Sequence, residues 1–95
     1  MDIDGIYIEK GYIEVGSIKR VDLSKLEIPM IAVYRKPLDY PDKYVARVLD
    51  SAYPTDIIMI KDTFLEIQKD IAEHTNMTFV KRDKEDVASL VGTWI

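Results

Sequence analysis

Three β runs fix the fold of this chain: Met30-Ile-Ala-Val-Tyr-Arg35, Tyr44-Val-Ala-Arg-Val-Leu49 and Asp56-Ile-Ile-Met-Ile-Lys61. A helix follows the third run, and Thr78-Phe-Val80 forms a short fourth run after it. Runs of this length, rich in β-branched and aromatic residues and separated by turns with Pro and Asp, are typical of strands. Residues 30–80 therefore predict the element order βββαβ.

The helix is marked by a capping box, in which Thr63 is followed three residues later by Glu66. Its apolar stripe has helical spacing and consists of Phe64, Ile67, Ile71 and Thr75, flanked by Leu65 and Ala72. This pattern predicts an amphipathic helix on one face of a sheet. We expect the helix to end with Asn76 in the left-handed conformation.

Residues 6–15 predict an N-terminal β-hairpin with Lys10-Gly11 as its two-residue turn. The turn sets four cross-strand pairs: Ile8 with Ile13, Ile6 with Val15, Tyr7 with Glu14, and Glu9 with Tyr12. Apolar pairs fall on one face and polar pairs on the other, as a half-buried hairpin needs. An isolated hairpin is marginally stable, so we expect it to dock on its own domain or on another copy.

The predicted fold class is α+β, with an antiparallel β-sheet, one main amphipathic helix on one face, and the N-terminal hairpin. The 95 residues predict a single domain, with residues 1–27 as a hairpin extension and residues 28–95 as the α+β core. Near the end of the chain, we expect a short helical turn at residues 83–88 and an extended segment from Leu90. Helical spacing of Val87, Leu90, Val91 and Trp94 leaves a helix open as an alternative for the last residues.

Composition excludes several classes of function. The absence of cysteine excludes disulfides, thiolate catalysis and zinc sites built on cysteine. The net charge of −4 argues against nucleic-acid binding. No segment approaches the roughly 20 apolar residues that cross a bilayer, and residues 1–5 lack the features of a signal peptide. We expect a cytoplasmic protein without a membrane role.

Four acidic or basic groups are candidates for chemistry. His74 is the only histidine, Asp39 and Asp42 lie in one loop, and Asp62 lies at the junction of a strand and the helix. No spacing gives them a partner, and turn formation or helix capping explains the aspartates. The sequence predicts no catalytic, cofactor-binding or metal-binding residue. A small enzyme using the carboxylates of residues 39–42 and Asp62 remains an alternative.

Basic pairs occur at Lys19-Arg20, Arg35-Lys36 and Lys81-Arg82. If they converged on one face, they would contact phosphates. The acidic total favours a solvated surface instead. Five aromatic residues are the stronger candidates for binding a protein partner, because Tyr and Trp are enriched at interface hot spots. They are Tyr34, Tyr40, Tyr44, Tyr53 and Trp94.

Residues 28–50 resemble a segment of small uncharacterised proteins from Gram-positive bacteria, which also share an ending like Thr93-Trp94-Ile95. The resemblance covers residues 28–95 and implies no activity. The order βββαβ and the helix start Asp62-Thr-Phe-Leu-Glu66 also resemble the HicB-like antitoxin fold. That resemblance implies neutralisation of a small ribonuclease toxin. Residues 51–55 depart from its usual Gly/Pro-containing segment, and the DNA-binding module often appended to it is absent.

These observations predict a non-enzymatic module that binds a protein partner or self-associates through the hairpin or a sheet edge. An HicB-like antitoxin and the small enzyme are the alternatives.

Overall fold

The computed structural model describes the backbone of residues 2–3, 6–9 and 11–95 and the side chains of residues 11–95. Its strands and its helix are, in chain order, β1 (Asp2–Ile3), β2 (Ile6–Glu9), β3 (Tyr12–Val15), β4 (Pro29–Arg35), β5 (Tyr44–Asp50), β6 (Tyr53–Lys61), α1 (Phe64–His74), β7 (Phe79–Lys81) and β8 (Leu90–Trp94). Two short 3-10 turns, Ile18–Arg20 and Leu23–Lys25, connect β3 to β4.

In the described chain, the strands form one sheet in the order β1-β2-β3-β6-β5-β4-β8-β7. The predicted α+β class is confirmed, and β4-β5-β6-α1-β7 gives the predicted order βββαβ. Every neighbouring pair is antiparallel except β3 and β6, which run parallel and make the sheet mixed. A parallel pair needs a long crossover, and here the crossover contains the two 3-10 turns together with β4 and β5.

The predicted hairpin register is confirmed in all four pairs, from Ile6 opposite Val15 to Glu9 opposite Tyr12. Gly11 has a φ of +79°, a conformation that residues with a Cβ rarely adopt. Lys10 and residues 1, 4 and 5 lie outside the described residues, as do the side chains of residues 6–9. The predicted sorting of those side chains between two faces therefore stays a prediction.

The start of helix α1 is as predicted. Thr63 Oγ1 accepts a hydrogen bond from Glu66 N (3.2 Å), and Glu66 Oε2 accepts one from Thr63 N (3.0 Å). The predicted left-handed Asn76 is wrong. The helix ends instead at Thr75, an extended residue whose backbone N–H and hydroxyl both donate to Ile71 O. Because these bonds satisfy that carbonyl, no left-handed cap is needed, and the chain runs on extended towards β7.

Helix α1 covers one face of the sheet with its apolar stripe. Ile67 and Ile71 are fully buried, and each contributes about 1.5–3 kcal/mol by burial. Phe64 is half-buried, whereas Leu65 and Ala72, expected to flank the stripe, are exposed. The sheet residues in this core are Val15, Ile31, Val33, Ala46, Val48, Met59 and Trp94.

Residues 12–20 are part of this core. Val15 and Ile18 are only 3% and 2% exposed. The Asp70 carboxylate of α1 accepts hydrogen bonds from Ser17 Oγ (2.6 Å) and Ile18 N (2.7 Å). The segment after the hairpin is therefore held to the helix by buried contacts and by hydrogen bonds to a charged group.

The end of the chain differs in part from the prediction. The extended segment from Leu90 is confirmed as β8, which lies between β4 and β7. The expected helical turn at residues 83–88 is wrong: residues 84–85 form a turn with a hydrogen bond from Asp86 N to Asp83 O (3.0 Å). Asp83 and Asp86 also bind nearby backbone N–H groups with their carboxylates, which favours a compact loop over a helix.

None of the described residues forms a helix with the length and apolar character needed to cross a membrane.

Candidate functional site

The second face of the sheet, here called the helix-free face, is formed by side chains that alternate with those under α1. In β4, β5 and β6 these are Met30, Ala32, Tyr34, Val45, Arg47, Leu49, Ile58 and Ile60. Ala32, Val45 and Ile58 are buried, although they lie outside the core cluster beneath the helix. The longer side chains around them are half-buried, so this face presents a mixed apolar and polar surface.

Arg47 lies at the centre of the helix-free face, in the middle of β5. Its Nη2 donates to Asp39 Oδ2 at 2.6 Å, in an ion pair whose side chains are 18% and 30% exposed. Its guanidinium carbon lies 4.8 Å from the centre of the Tyr12 ring and 5.8 Å from that of the Tyr34 ring. Such distances allow cation–π attraction on both sides of the guanidinium.

The environment keeps Arg47 charged. Burial is the largest influence on the pKa of Arg47 and acts to lower it. Hydrogen bonds with Asp39 and Tyr12 and the charges of both groups outweigh the burial, so this pKa lies above its usual value. Arg47 is therefore a fixed cation that joins the loop after β4 to strand β3.

A cleft of about 420 Å³ opens beside Arg47 and is here called the tyrosine cleft. It is lined by Tyr12, Tyr34, Arg47, Leu49, Ala52, Pro54, Thr55 and Asp56. One wall follows the tight turn between β5 and β6, in which Ser51 and Ala52 have φ values of +54° and +68°. Aromatic, apolar and charged groups of both signs thus meet in a single concave surface.

The five aromatic residues predicted to bind a partner do not form one cluster. Tyr34 lies in the tyrosine cleft, Tyr53 is 76% exposed at the start of β6, and Tyr40 is half-buried in the loop after β4. Tyr44 and Trp94 lie on the helix side instead.

Trp94 is part of an aromatic group in the core. It is only 4% exposed, and its ring centre lies 4.5 Å from that of Phe79 and 5.7 Å from that of Phe64. The Tyr44 ring lies 6.5 Å from Phe64 at the edge of this group. Trp94 therefore stabilises the fold and is not accessible to a partner.

Tyr12 and Arg47 are residues of the cleft that the sequence analysis did not select. A signal for Arg47 was present, because it is the only charged residue inside the otherwise apolar run of residues 44–49. Tyr12 carried no such signal, since its place in the cleft depends on how β3 pairs with β6.

Two of the three carboxylates considered for catalysis have separate basic partners, and the third, Asp42, is exposed in the loop between β4 and β5. Asp39 pairs with Arg47, and Asp62 accepts a hydrogen bond from Lys43. That hydrogen bond, followed by the charge of Lys43, lowers the pKa of Asp62. A carboxyl group with a lowered pKa is a poor proton donor near neutral pH. Asp62 thus forms an exposed ion pair, while Thr63 caps the helix.

His74 contacts its own helix. Its Nδ1 lies 2.8 Å from Asp70 O and 3.5 Å from Asp70 Oδ1, one turn earlier in α1. Within residues 11–95, no three His, Asp or Glu side chains come together as a metal site would require.

Two of the three basic pairs contribute to one further cleft, of about 500 Å³, here called the basic cleft. Arg35 comes from the pair Arg35-Lys36, and both members of the pair Lys81-Arg82 line the cleft. Lys84 also lines it. Lys19 and Arg20 do not line it; they lie on the first 3-10 turn.

Comparison with known proteins finds no match of any kind. No protein-family model matches this chain. The curated proteins and the solved structures likewise give no match. The roles of its residues therefore have to be argued from its own geometry.

Proposed function

We propose that this chain is a non-enzymatic protein-interaction module that associates with a second copy of itself through the helix-free face. The observation that carries the proposal is the tyrosine cleft, in which Arg47 is held between Tyr12 and Tyr34 by Asp39. Tyr and Arg are the residues most enriched at interface hot spots, where they act best in a preorganised, partly desolvated setting. The absence of cysteine fits a reducing compartment such as the cytoplasm.

The composition of the cleft favours a second copy as the partner. A twofold interface uses the same patch on both subunits, so the patch must be complementary to itself. Arg47 and Asp56 supply both signs of charge, and Leu49 and Pro54 supply apolar surface. A patch with both signs of charge meets this requirement, because its self-association would not bury charges of a single sign.

The size of the sheet is sufficient for a stable interface. Eight strands about 4.8 Å apart make a sheet roughly 34 Å wide. The molecule measures 38 × 29 × 23 Å, and a face spanned by its two longer dimensions has an area somewhat above the roughly 800 Å² per partner that a standard interface buries. A standard interface would therefore use most of this face, centred on the cleft.

The helix-free face is a better candidate for the self-association surface than the sheet edge at β7. Strand β7 has only three residues, and one of them is Lys81. Short edge strands with lysine are a common protection against edge pairing. Val80, at 47%, is the one exposed apolar side chain of this strand, and a single such residue offers little apolar surface for a partner.

The alternatives stay predictions. A HicB-like antitoxin shares the order βββαβ, but here β8 separates β7 from the β4-β5-β6 meander. The small enzyme would need its carboxylates directed at one substrate, whereas Asp39 and Asp62 have separate basic partners.

Sedimentation equilibrium of the full chain tests the proposal, up to about 1 mM protein, where association worth only about 4 kcal/mol is detectable. We expect the mass to rise with concentration from 11.0 kDa towards twice that value. Leu49→Glu and Asp56→Lys, both in the tyrosine cleft, should keep the protein monomeric.

Leu65→Glu is the matched control, because Leu65 is 69% exposed on the outer side of α1. It should associate like the wild type, and thermal unfolding should show that each variant is folded. A wild type that is monomeric at every concentration would contradict the proposal. So would an equal loss of association in Leu65→Glu.

A further inference from the structure

The basic cleft collects positive charge on an acidic protein. Its lining includes Arg35, Lys81, Arg82 and Lys84 and no acidic residue, although the chain carries a net charge of −4. The remaining lining residues are Ala88, Ser89, Leu90 and Val91, so the cations surround a mainly apolar wall. Backbone hydrogen bonds fix this geometry: Arg35 N donates to Ser89 O (2.7 Å) and Arg82 N to Val91 O (3.2 Å).

None of the four cations of the cleft forms an ion pair with another residue whose side chain is described. The ion pairs among residues 11–95 are Lys43 with Asp62, Arg47 with Asp39, and His74 with Asp70, and none involves the cleft. The adjoining loop carries three acidic side chains, Asp83, Glu85 and Asp86, whose charges stay close to the cleft although none of them lines it. Asp83 Oδ1 accepts a hydrogen bond from Glu85 N (3.2 Å), and Asp86 Oδ2 accepts one from Asp83 N (2.8 Å).

Arg82 supplies a second, independent observation. Its Nη2 donates to Asp86 O (2.7 Å), which fixes the half-buried guanidinium. Its Nε is buried and has no hydrogen-bond partner among the described residues. A half-buried cation with an unsatisfied donor is unusual, and a missing ligand is one physical explanation for it. An anion entering the cleft would supply a negative charge beside this guanidinium, and it would meet the buried Nε once the Arg82 side chain moved.

We infer that the basic cleft binds a small phosphorylated molecule, of the size and charge of a nucleoside di- or triphosphate. Arginine and lysine are the side chains that bind phosphate oxygens most strongly. A volume of about 500 Å³ lies within the range of small-molecule sites. The apolar wall at Leu90 and Val91 would contact the part of the ligand that carries no charge.

A small ligand fits better than a nucleic-acid chain. Polymer binding needs a basic stripe that follows many phosphates. Here the remaining basic pair, Lys19-Arg20, lies outside the cleft, and the protein is acidic overall. This inference does not depend on the tyrosine cleft or on self-association.

The test is an NMR titration of the ¹⁵N-labelled full chain with inorganic pyrophosphate, with adenosine triphosphate and with a single-stranded oligonucleotide. We expect saturable shifts from both small phosphates, confined to residues 35, 81–84 and 88–91. Adenosine triphosphate should bind at least as tightly as pyrophosphate, because it also contacts the apolar wall. The inference would be overturned if the affinity for the oligonucleotide, counted per phosphate group, exceeded the affinity for the triphosphate counted in the same way.

Matched variants complete the test. Lys81→Gln with Lys84→Gln removes two exposed cations of the cleft and should weaken binding of the triphosphate at least tenfold. Lys19→Gln with Arg20→Gln removes two exposed cations elsewhere and should leave the affinity unchanged. Absence of saturable shifts, or an equal loss of affinity in both double variants, would show that only diffuse charge attraction is present and would overturn the inference.

Discussion

The guanidinium carbon of Arg47 lies 4.8 Å from the centre of the Tyr12 ring, although strand β6 separates the strands that carry them. Asp39 reaches the same guanidinium from the loop after β4. Strand β3, strand β5 and the loop after β4 thus meet at one cation. This contact joins the hairpin to the centre of the sheet and builds the wall of the tyrosine cleft.

Arg47→Met should destabilise the protein by about 1–3 kcal/mol, because it removes a charge-assisted hydrogen bond and the cation–π contacts but keeps the aliphatic stem. Urea unfolding measures the change. Arg20→Met, at an exposed position on the first 3-10 turn, is the control and should change stability by less than about 0.5 kcal/mol. Equal effects of the two substitutions would show that Arg47 acts as an ordinary surface residue.

Gly92→Ala should destabilise the protein by about 1–3 kcal/mol through overpacking. A Cβ at Gly92 would lie 2.3 Å from Phe79 Cζ and 2.6 Å from Val80 O. The ring and the neighbouring backbone would both have to move. Thermal unfolding in a double-mutant cycle with Phe79→Leu checks the cause, since a smaller side chain should reduce the penalty. A penalty of the same size in both backgrounds would assign the strain to the backbone alone.

Ala52→Gly should stabilise the protein by about 1 kcal/mol, because Ala52 has a φ of +68° in the turn between β5 and β6. Asp50 pairs with Tyr53, so Ser51 and Ala52 form a two-residue turn of the kind that glycine favours. Denaturant unfolding should give a higher midpoint. Ala88→Gly, at an exposed residue without a positive φ, should give no gain. A gain in both variants would rule out turn strain as the reason.

The ion pair between Lys43 and Asp62 predicts a small pH dependence of stability. The hydrogen bond and charge of Lys43 lower the pKa of Asp62 below its usual value of 3.8. The ion pair therefore contributes to the stability of the fold above pH 3.8, and this contribution is lost as the pH falls through the lowered pKa. The pKa of Lys43 is raised above 10.5 by the same bond, so the contribution is also lost as the pH rises through the raised value.

Melting temperatures of wild type and Asp62→Asn measure this effect. The two proteins should differ near neutral pH and converge in strong acid, and added salt should narrow the difference because both side chains are exposed. Asp42→Asn, next to Lys43 in the loop between β4 and β5, is the control for a general charge effect. A difference between wild type and Asp62→Asn that grows in acid would contradict the predicted sign.

The elements that local chemistry specifies were predictable from the sequence. Thr63 and Glu66 mark the helix start because a capping box needs only residues three apart. The hairpin register follows from the two-residue turn and the alternation around it. In contrast, the spacing of Val87, Leu90, Val91 and Trp94 also fits a helix, and only Gly92 and the β-favouring residues 93–95 indicated the strand that forms. In this strand Gly92 lies against the Phe79 ring, with no room for a Cβ.

The candidate site was predictable only in part. Tyr34 was selected as an aromatic residue at the end of a strand, but its neighbours Tyr12 and Arg47 depend on the parallel pairing of β3 with β6. No alternation pattern specifies which strand a hairpin joins. Likewise, the pairs Arg35-Lys36 and Lys81-Arg82 were visible in the sequence. Their shared cleft depends on β8 entering the sheet between β4 and β7.

Distance measurement between spin labels in the associated protein tests the central claim, that two copies meet through the helix-free face. The chain has no cysteine, so Ala52→Cys and Leu65→Cys each give a single labelling site, one at the tyrosine cleft and one on the outer side of α1. The account predicts a short distance between the two copies for labels at position 52 and a much longer one for labels at position 65. A shorter distance at position 65, or no dipolar coupling at either position at high concentration, would contradict it.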